Sequence, residues 1–305
     1  MVVPTTFGFD EQTAQTNVFQ HRLNAQSAAV QQAALHEFND YVELLRAHDI
    51  TVLTFEDLGD IPKPNAVFPN NWISTWPDGT VYLYPMATES RRVERSQTAI
   101  DLLKERYAIE DVVDLSAREQ DGAILESTGV MVFDHESKTA YACISPRCDR
   151  DLFIAHSRQL GYTPVAFHAT DHKGTPIYHT NVMLGIQART AVICSESIAN
   201  DTERRNVLQV LADSGHEIID INFAQMEHFC GNVLSVQNRH GESFVILSQS
   251  AYDAFSEAQR NTLAKSGTLL PVNIPTIETV GGGSARCMLA EIFLPVREPA
   301  VVPAK

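Results

Sequence analysis

The sequence predicts an α/β fold of five β-β-α-β units, helices outside and sheets radiating from a pseudo-fivefold axis, in one domain over residues 1–305. Three observations carry this expectation. Five short segments resemble one another: Asn70-Asn71-Trp72-Ile73-Ser74, Glu126-Ser127-Thr128-Gly129-Val130, His179-Thr180-Asn181-Val182-Met183, Cys230-Gly231-Asn232-Val233-Leu234 and Arg286-Cys287-Met288-Leu289-Ala290. Each opens with small or polar residues and runs into an apolar strand. Anchored on Asn71, Thr128, Asn181, Asn232 and Cys287, they stand 57, 53, 51 and 55 residues apart. Near-regular periods of this size mark stacked or radially arranged units. Behind each head the same elements recur, hairpins alternating with helices, where a doubly wound fold expects one strand per helix.

In the first unit Trp72 to Trp76 reads as a strand, Pro77-Asp78-Gly79 as a turn and Val81 to Tyr84 as the returning strand. Glu89 to Tyr107 reads as a helix and Asp111 to Leu115 as a third strand. The second unit runs Val130 to Phe133, Thr139 to Ile144, a helix over Asp149 to Leu160, then Pro164 to Phe167. The third runs Val182 to Ile186, Thr190 to Cys194, a helix over Asn200 to Ser214, then Glu217 to Ile221. The fourth runs Val233 to Val236, Ser243 to Leu247, a helix over Ala251 to Lys265, then Thr268 to Val272. The remaining unit takes the helix Ala25 to His48, the strand Ile50 to Phe55, and a hairpin of Met288 to Leu294 with Met1 to Phe7 that joins the two chain ends.

At 44% apolar and 20% charged residues the chain reads as an ordinary globular protein with a sizeable core. A formal net charge of −15 lacks the basic footprint of a nucleic-acid or anionic-membrane binder. No apolar run reaches the roughly 20 residues of a membrane span, and Met1 to Asp10 lacks a signal-peptide pattern. Five cysteines at irregular spacings do not make a disulfide framework, so a cytoplasmic setting is expected. Cys143 and Cys148 have no second Cys or His pair to complete a zinc site, and Cys143 lies in a strand-like run that suits a buried thiol. No metal is expected. An acidic exterior is compatible with a homodimer.

A ring of five units brings the strand heads to one central mouth, where Glu126, His179 and Cys287 can meet. Cys287 follows Gly281-Gly282-Gly283-Ser284-Ala285-Arg286. The glycines let amide N–H groups approach a ligand, and the adjacent Arg286 favours thiolate, the nucleophilic form. Either Cys287 is a nucleophile or it is a core residue at a strand start. His179, at the matching position of its unit, can pass protons in both directions. Glu126 ends an apolar run, where a carboxylate is costly unless paired; it can orient His179, hold an N–H-rich substrate, or be a solvated turn residue. Asn70, Asn71 and Asn181 shape turns when taken singly. Together they offer amide donors and acceptors suited to a neutral amide or urea.

These motifs resemble the signature of the guanidine-modifying (amidinotransferase/arginine deiminase) superfamily, through Glu126-Ser127-Thr128-Gly129, His179-Thr180-Asn181 and Ala285-Arg286-Cys287-Met288. The likeness spans the chain. Within that superfamily the chain most resembles the citrulline-utilisation hydrolases, through Asn65-Ala66-Val67-Phe68-Pro69-Asn70-Asn71-Trp72, Gly8-Phe9-Asp10-Glu11-Gln12-Thr13-Ala14 and Met288-Leu289-Ala290-Glu291-Ile292. The resemblance implies a five-bladed α/β-propeller (pentein), Cys287 as covalent nucleophile, His179 as general acid/base, Glu126 as its partner and Arg286 as the contact of a substrate carboxylate. Arginine deiminases carry Asp where this chain has Asn71 and Asn181. Without those carboxylates a guanidinium loses charge-assisted pairs of about 1.5–3 kcal/mol each, and an uncharged ureido group is better served. Ser127 and Thr128 follow Glu126 where the usual motif reads Glu-Gly-Gly.

The expected activity is hydrolysis of the ureido group of L-citrulline to ornithine, ammonia and carbon dioxide, with Asn70, Asn71 and Asn181 on the substrate and no cofactor. An arginine deiminase-like hydrolase and an amidinotransferase are the alternatives of the same class. A non-catalytic pentein that binds a macromolecule is the alternative of another class.

Overall fold

The computed structural model describes residues 1–56, 59 and 61–297; residues 57, 58, 60 and 298–305 of the expected domain lie outside the described residues. Among the described residues four three-stranded sheets form, one in each of the first four units. The first sheet holds β1 (Ile73–Thr75), β2 (Thr80–Leu83) and β3 (Asp111–Asp114), and the second β4 (Val132–Asp134), β5 (Thr139–Cys143) and β6 (Thr163–Phe167). The third holds β7 (Leu184–Ile186), β8 (Thr190–Ile193) and β9 (Glu217–Asp220), and the fourth β10 (Leu234–Gln237), β11 (Ser243–Ser248) and β12 (Thr268–Val272). In every sheet the middle strand pairs antiparallel with the first and parallel with the third.

That pattern follows from the connections. A tight turn suffices for the antiparallel pair: at Pro77-Asp78-Gly79, Asp78 Oδ1 accepts the Thr80 amide at 2.9 Å and Gly79 takes φ 86°. The parallel partner needs a crossover, which a helix supplies. The long helices are α1 (Ser27–Ala47), α2 (Gln97–Arg106), α3 (Arg150–Gln159), α4 (Asp201–Asp213), α5 (Gln249–Ala254) and α6 (Glu257–Leu263). Asp149 and Asn200 cap α3 and α4 where the sequence places their starts. α1 buries Val30, Ala34, Phe38, Tyr41, Val42 and Leu45, a stripe at helical spacing, against Phe7, Phe68 and the chain around Cys287. Among the described residues no helix is long and apolar enough to cross a membrane.

Several expectations are corrected. The helix expected over Glu89 to Tyr107 is two pieces, Glu89–Arg92 and α2, because Ser96 caps a new start after Arg91, in the first piece, and Glu94, between the two, have turned inward. The helix expected over Ala251 to Lys265 breaks into α5 and α6 where Ser256 and Gln259 form a capping box. The first strands begin later than expected, since their leading residues form single helical turns: Pro69–Asn71, Ser127–Val130 and Thr180–Met183.

The hairpin between Met288 to Leu294 and Met1 to Phe7 does not form. Val2 instead bridges Phe55 in parallel, with the Val3 amide donating to Phe55 O at 2.8 Å. The Ile50 to Phe55 segment carries that one bridge rather than a ladder. The C-terminal segment crosses to the first unit: the Thr75 hydroxyl donates to Glu291 O at 3.0 Å and accepts the Phe293 amide at 2.8 Å. Ala108 N then reaches Pro295 O at 2.9 Å. Pro295 has no amide proton for a ladder of its own, and Thr75 captures the residues before it.

Candidate active site

The helical turns at the strand heads gather five distant pieces of sequence. Thr128 Oγ1 donates to Asn70 O at 3.1 Å, and Thr180 Oγ1 to Val130 O at 2.6 Å. Asn181 Nδ2 donates to Thr128 O at 3.3 Å, Asn232 Nδ2 to Asn181 O at 2.9 Å, and the Arg286 amide to Asn232 Oδ1 at 3.1 Å. Each head is thus tied to the next in chain order, and the Pro69–Asn71 and Ala285–Met288 turns also touch.

Glu126 and His179 meet directly, with His179 Nε2 2.7 Å from Glu126 Oε2, both buried. Burial alone would raise the Glu126 carboxyl, but Arg147 and His179 hold it well below the usual carboxylate range. Arg147 Nη1 lies 3.4 Å from Glu126 Oε2, and the Ala87 amide donates to Oε1 at 3.0 Å. Arg147 is itself fixed by Thr13 O at 3.0 Å and Thr16 Oγ1 at 2.8 Å, with its guanidinium over the Tyr178 ring. Burial lowers the His179 imidazole to about 4, outweighing the opposite pull of Glu126, so the ring is neutral near pH 7. Its proton sits on Nε2, facing an ionised acceptor, and Nδ1 is left as the basic nitrogen.

Asn71 is oriented by a cation. Arg91 Nη1 donates to Asn71 Oδ1 at 2.9 Å, while Arg91 Nε pairs with Glu94 Oε1 at 2.7 Å and Nη2 donates to Phe68 O at 3.1 Å. Arg is a donor only, so Asn71 must offer it the carbonyl oxygen. Asn71 Nδ2 is left buried with no partner among the described residues, and so is Asn65 Oδ1. Burial raises Glu94 to about 7 in spite of Arg91.

Cys287 is 3% exposed. Its Sγ is addressed by Asn232 Nδ2 at 3.3 Å and Asn181 Nδ2 at 3.5 Å. Cys287, His179, Asn71, Asn65, Arg91 and Arg147 line one small cavity of about 10 Å³. No carboxylate lines it among the described residues. Its roof is the glycine run under a strap from the N-terminal segment: Asn17 Nδ2 and Tyr178 Oη donate to Gly282 O at 3.0 and 2.5 Å, and Gln20 Nε2 to Val280 O at 3.0 Å.

Glu126, His179, Asn71 and Cys287 are brought together, with Asn181 behind the sulfur. Asn70 and Arg286 stand apart. Both side-chain polar atoms of Asn70 are buried without a partner among the described residues, and the residue does not line the cavity. Arg286 departs from the expectation that it meets a carboxylate beside Cys287. Its guanidinium turns to Leu289 O at 3.4 Å and Glu291 Oε2 at 3.5 Å, and lines a different cavity. Sequence reasoning missed Arg91, Arg147, Asn65 and Asn232 as site residues. Asn232 carried a signal, its place at the fourth head; the two arginines carried none.

Comparison with known structures gives the same architecture. ArgZ, described as an arginine dihydrolase from the ornithine–ammonia cycle in cyanobacteria, superposes with a TM-score of 0.73 at 15% identity, covering 94% of this chain and 39% of that one. This chain thus spans well under half of full-length ArgZ. The N-terminal domain of ArgZ bound to substrate matches at TM-score 0.73 and 15% identity over 96% of this chain and 98% of that one. A dimethylarginine dimethylaminohydrolase in adduct with 4-chloro-2-hydroxymethylpyridine matches at TM-score 0.60 and 14% identity over 85% and 90%. At such identities the likeness speaks for the fold. No curated protein matches the sequence. The family model described as N,N dimethylarginine dimethylhydrolase, eukaryotic, matches residues 3–294. The chain therefore belongs to that family and to the guanidine-modifying, pentein superfamily that contains it.

Proposed function

We propose that the protein is a cysteine-dependent C–N hydrolase whose substrate presents an uncharged ureido group, with L-citrulline as the substrate and ornithine, ammonia and carbon dioxide as products. The orientation of Asn71 carries this reading. With Oδ1 held by Arg91, Asn71 offers the cavity an N–H₂ donor. A guanidinium has only donors, so it meets donor against donor; a ureido oxygen accepts. Asn65 Oδ1 is the complementary acceptor for a ureido N–H. Arg91 and Arg147 line the cavity while Glu94 and Glu126, the carboxylates that pair with them, do not, which also disfavours a cation there.

In this mechanism the Cys287 thiol passes its proton to His179 Nδ1 as the sulfur attacks the ureido carbon, and the imidazolium gives that proton to the departing nitrogen as a C–N bond breaks. Neutral His179 then takes a proton from water, which attacks the thioester-like carbon; the sulfur leaves and takes that proton back, and the carbamic acid released loses carbon dioxide, so that ornithine and ammonia are both set free. Glu126, kept ionised by Arg147, stabilises the imidazolium formed in each transfer. The cavity has room for about one water molecule, so binding requires the strap around Asn17 and Gln20 to lift from the glycine run. We read the five linked heads as a five-bladed ring in which Ala285–Met288 heads the fifth blade.

A second reading, attack on a guanidino group first, is supported by the family match and the likeness to an arginine dihydrolase. Amino-acid and ammonia analysis after incubation with citrulline, arginine or dimethylarginine separates the two. Ornithine and ammonia from citrulline with wild type, and none with Cys287→Ala, is the expected result. Citrulline accumulating from arginine, with citrulline itself inert, would overturn the ureido reading.

A further inference from the structure

Cys287 and its neighbour Arg286 line different cavities that share no residue. The second has a volume of about 270 Å³ and lies where β1, β4, β7 and β10 run away from their heads. Its walls hold a buried cation and a carboxylate in a long contact, Arg286 Nη2 being 3.5 Å from Glu291 Oε2. Three more wall residues carry buried polar atoms with no partner among the described residues: Gln187 Nε2, His216 Nδ1 and Ser235 Oγ. Gln187 is 3% exposed and His216 8%.

The chemistry of these atoms is set by their other bonds. His216 Nε2 lies 2.9 Å from Asp134 Oδ2, so the ring donates there, and in the neutral imidazole Nδ1 is an acceptor. Gln187 Oε1 accepts from Thr190, which leaves its N–H₂ as the unused donor. Buried polar groups without partners are few in native structures and each demands a reason. Three around one cavity, with a cation and a carboxylate, describe complementary halves of a zwitterion.

We propose that this cavity binds a small α-amino acid as an effector, its carboxylate on Arg286 and Gln187, its ammonium on Glu291 and His216, and its side chain against Trp76. The volume suits one such molecule. The site connects to the nucleophile through one residue: the Arg286 amide donates to Asn232 Oδ1, and Asn232 Nδ2 addresses Cys287 Sγ. A ligand that draws Arg286 toward itself therefore alters how the sulfur is held. The proposal does not depend on which substrate Cys287 attacks.

The test is calorimetric titration of the full chain with glycine and with L-alanine, before and after alkylation of Cys287 with iodoacetamide, in wild type, Glu291→Gln and Gln187→Leu. The expected result is saturable binding that survives alkylation and weakens at least about tenfold in both variants. The same amino acids should change turnover without competing with substrate. No saturable binding to wild type, binding abolished by alkylation, or unchanged affinity in both variants would overturn the proposal.

Discussion

At the scale of single residues, specificity turns on which side-chain atom of Asn71 is left without a partner in the cavity it shares with Cys287, and Arg91 decides it. Asn71→Asp keeps the shape but places a carboxylate between Arg91 and the cavity. Its expected effect is a rise of roughly 10–100-fold in the ratio of arginine to citrulline kcat/KM, the worth of one charge-assisted hydrogen bond; a ratio that stays put contradicts the orientation argument. Gly129 makes a second residue-scale test. A Cβ there would overlap Asn71 Nδ2 and come within 2.9 Å of His179 Cε1. Gly129→Ala should cost turnover heavily while costing about 1–3 kcal/mol of stability, read by kinetics beside urea melts. Glu126, His179 and Cys287 were legible as candidates because chemistry-bearing side chains recur at matched head positions. Arg91 and Arg147 were not, since an arginine in a polar stretch looks alike whether it points out or folds under its neighbours. Arg286 was misplaced for a related reason: adjacency to Cys287 in sequence says nothing of which side of the backbone it leaves.

At the scale of elements, the head turns explain both the late strand starts and a strained residue. Ser127 sits buried at φ 40°, a region that suits glycine. Ser127→Gly should raise stability by about 0.5–1 kcal/mol, read as a shift of the urea midpoint; a loss would show that its hydroxyl, 3.4 Å from Ile73 O, matters more than the strain. Strand and helix order in the first four units was readable from periodicity and turn residues. The two helix breaks were not, because Ser96 and Ser256 interrupt apolar patterns that continue past them. The end-to-end hairpin failed on a contact no pattern encodes, the Thr75 hydroxyl holding the Glu291–Phe293 stretch.

At the scale of the whole molecule, buried titrating groups set the pH window of stability. Glu94 and Glu278 are raised to about 7 by burial, so their contribution is full below about 4.5 and lost as pH rises through about 7. His179 and His156 are lowered to about 4 by burial, so theirs is full above about 6.5 and lost as pH falls through about 4. The two slopes oppose each other between those limits. Urea midpoints should be nearly level from about pH 4.5 to 6.5 and fall at pH below about 4.5, where the unfolded chain protonates carboxyls that the folded chain keeps ionised, Glu126 and Asp134 among them. A midpoint that climbs on acidification through that range would contradict the assigned protonation states.

The most direct test of the account is the kcat/KM of the wild-type protein for L-citrulline beside those for L-arginine and dimethylarginine, with products identified in each case. The account predicts citrulline to be preferred by at least about tenfold, in keeping with one favourable acceptor–donor pair exchanged for a donor–donor clash, and ornithine to appear from it. Faster turnover of either guanidino compound, with citrulline as the end product, would contradict it.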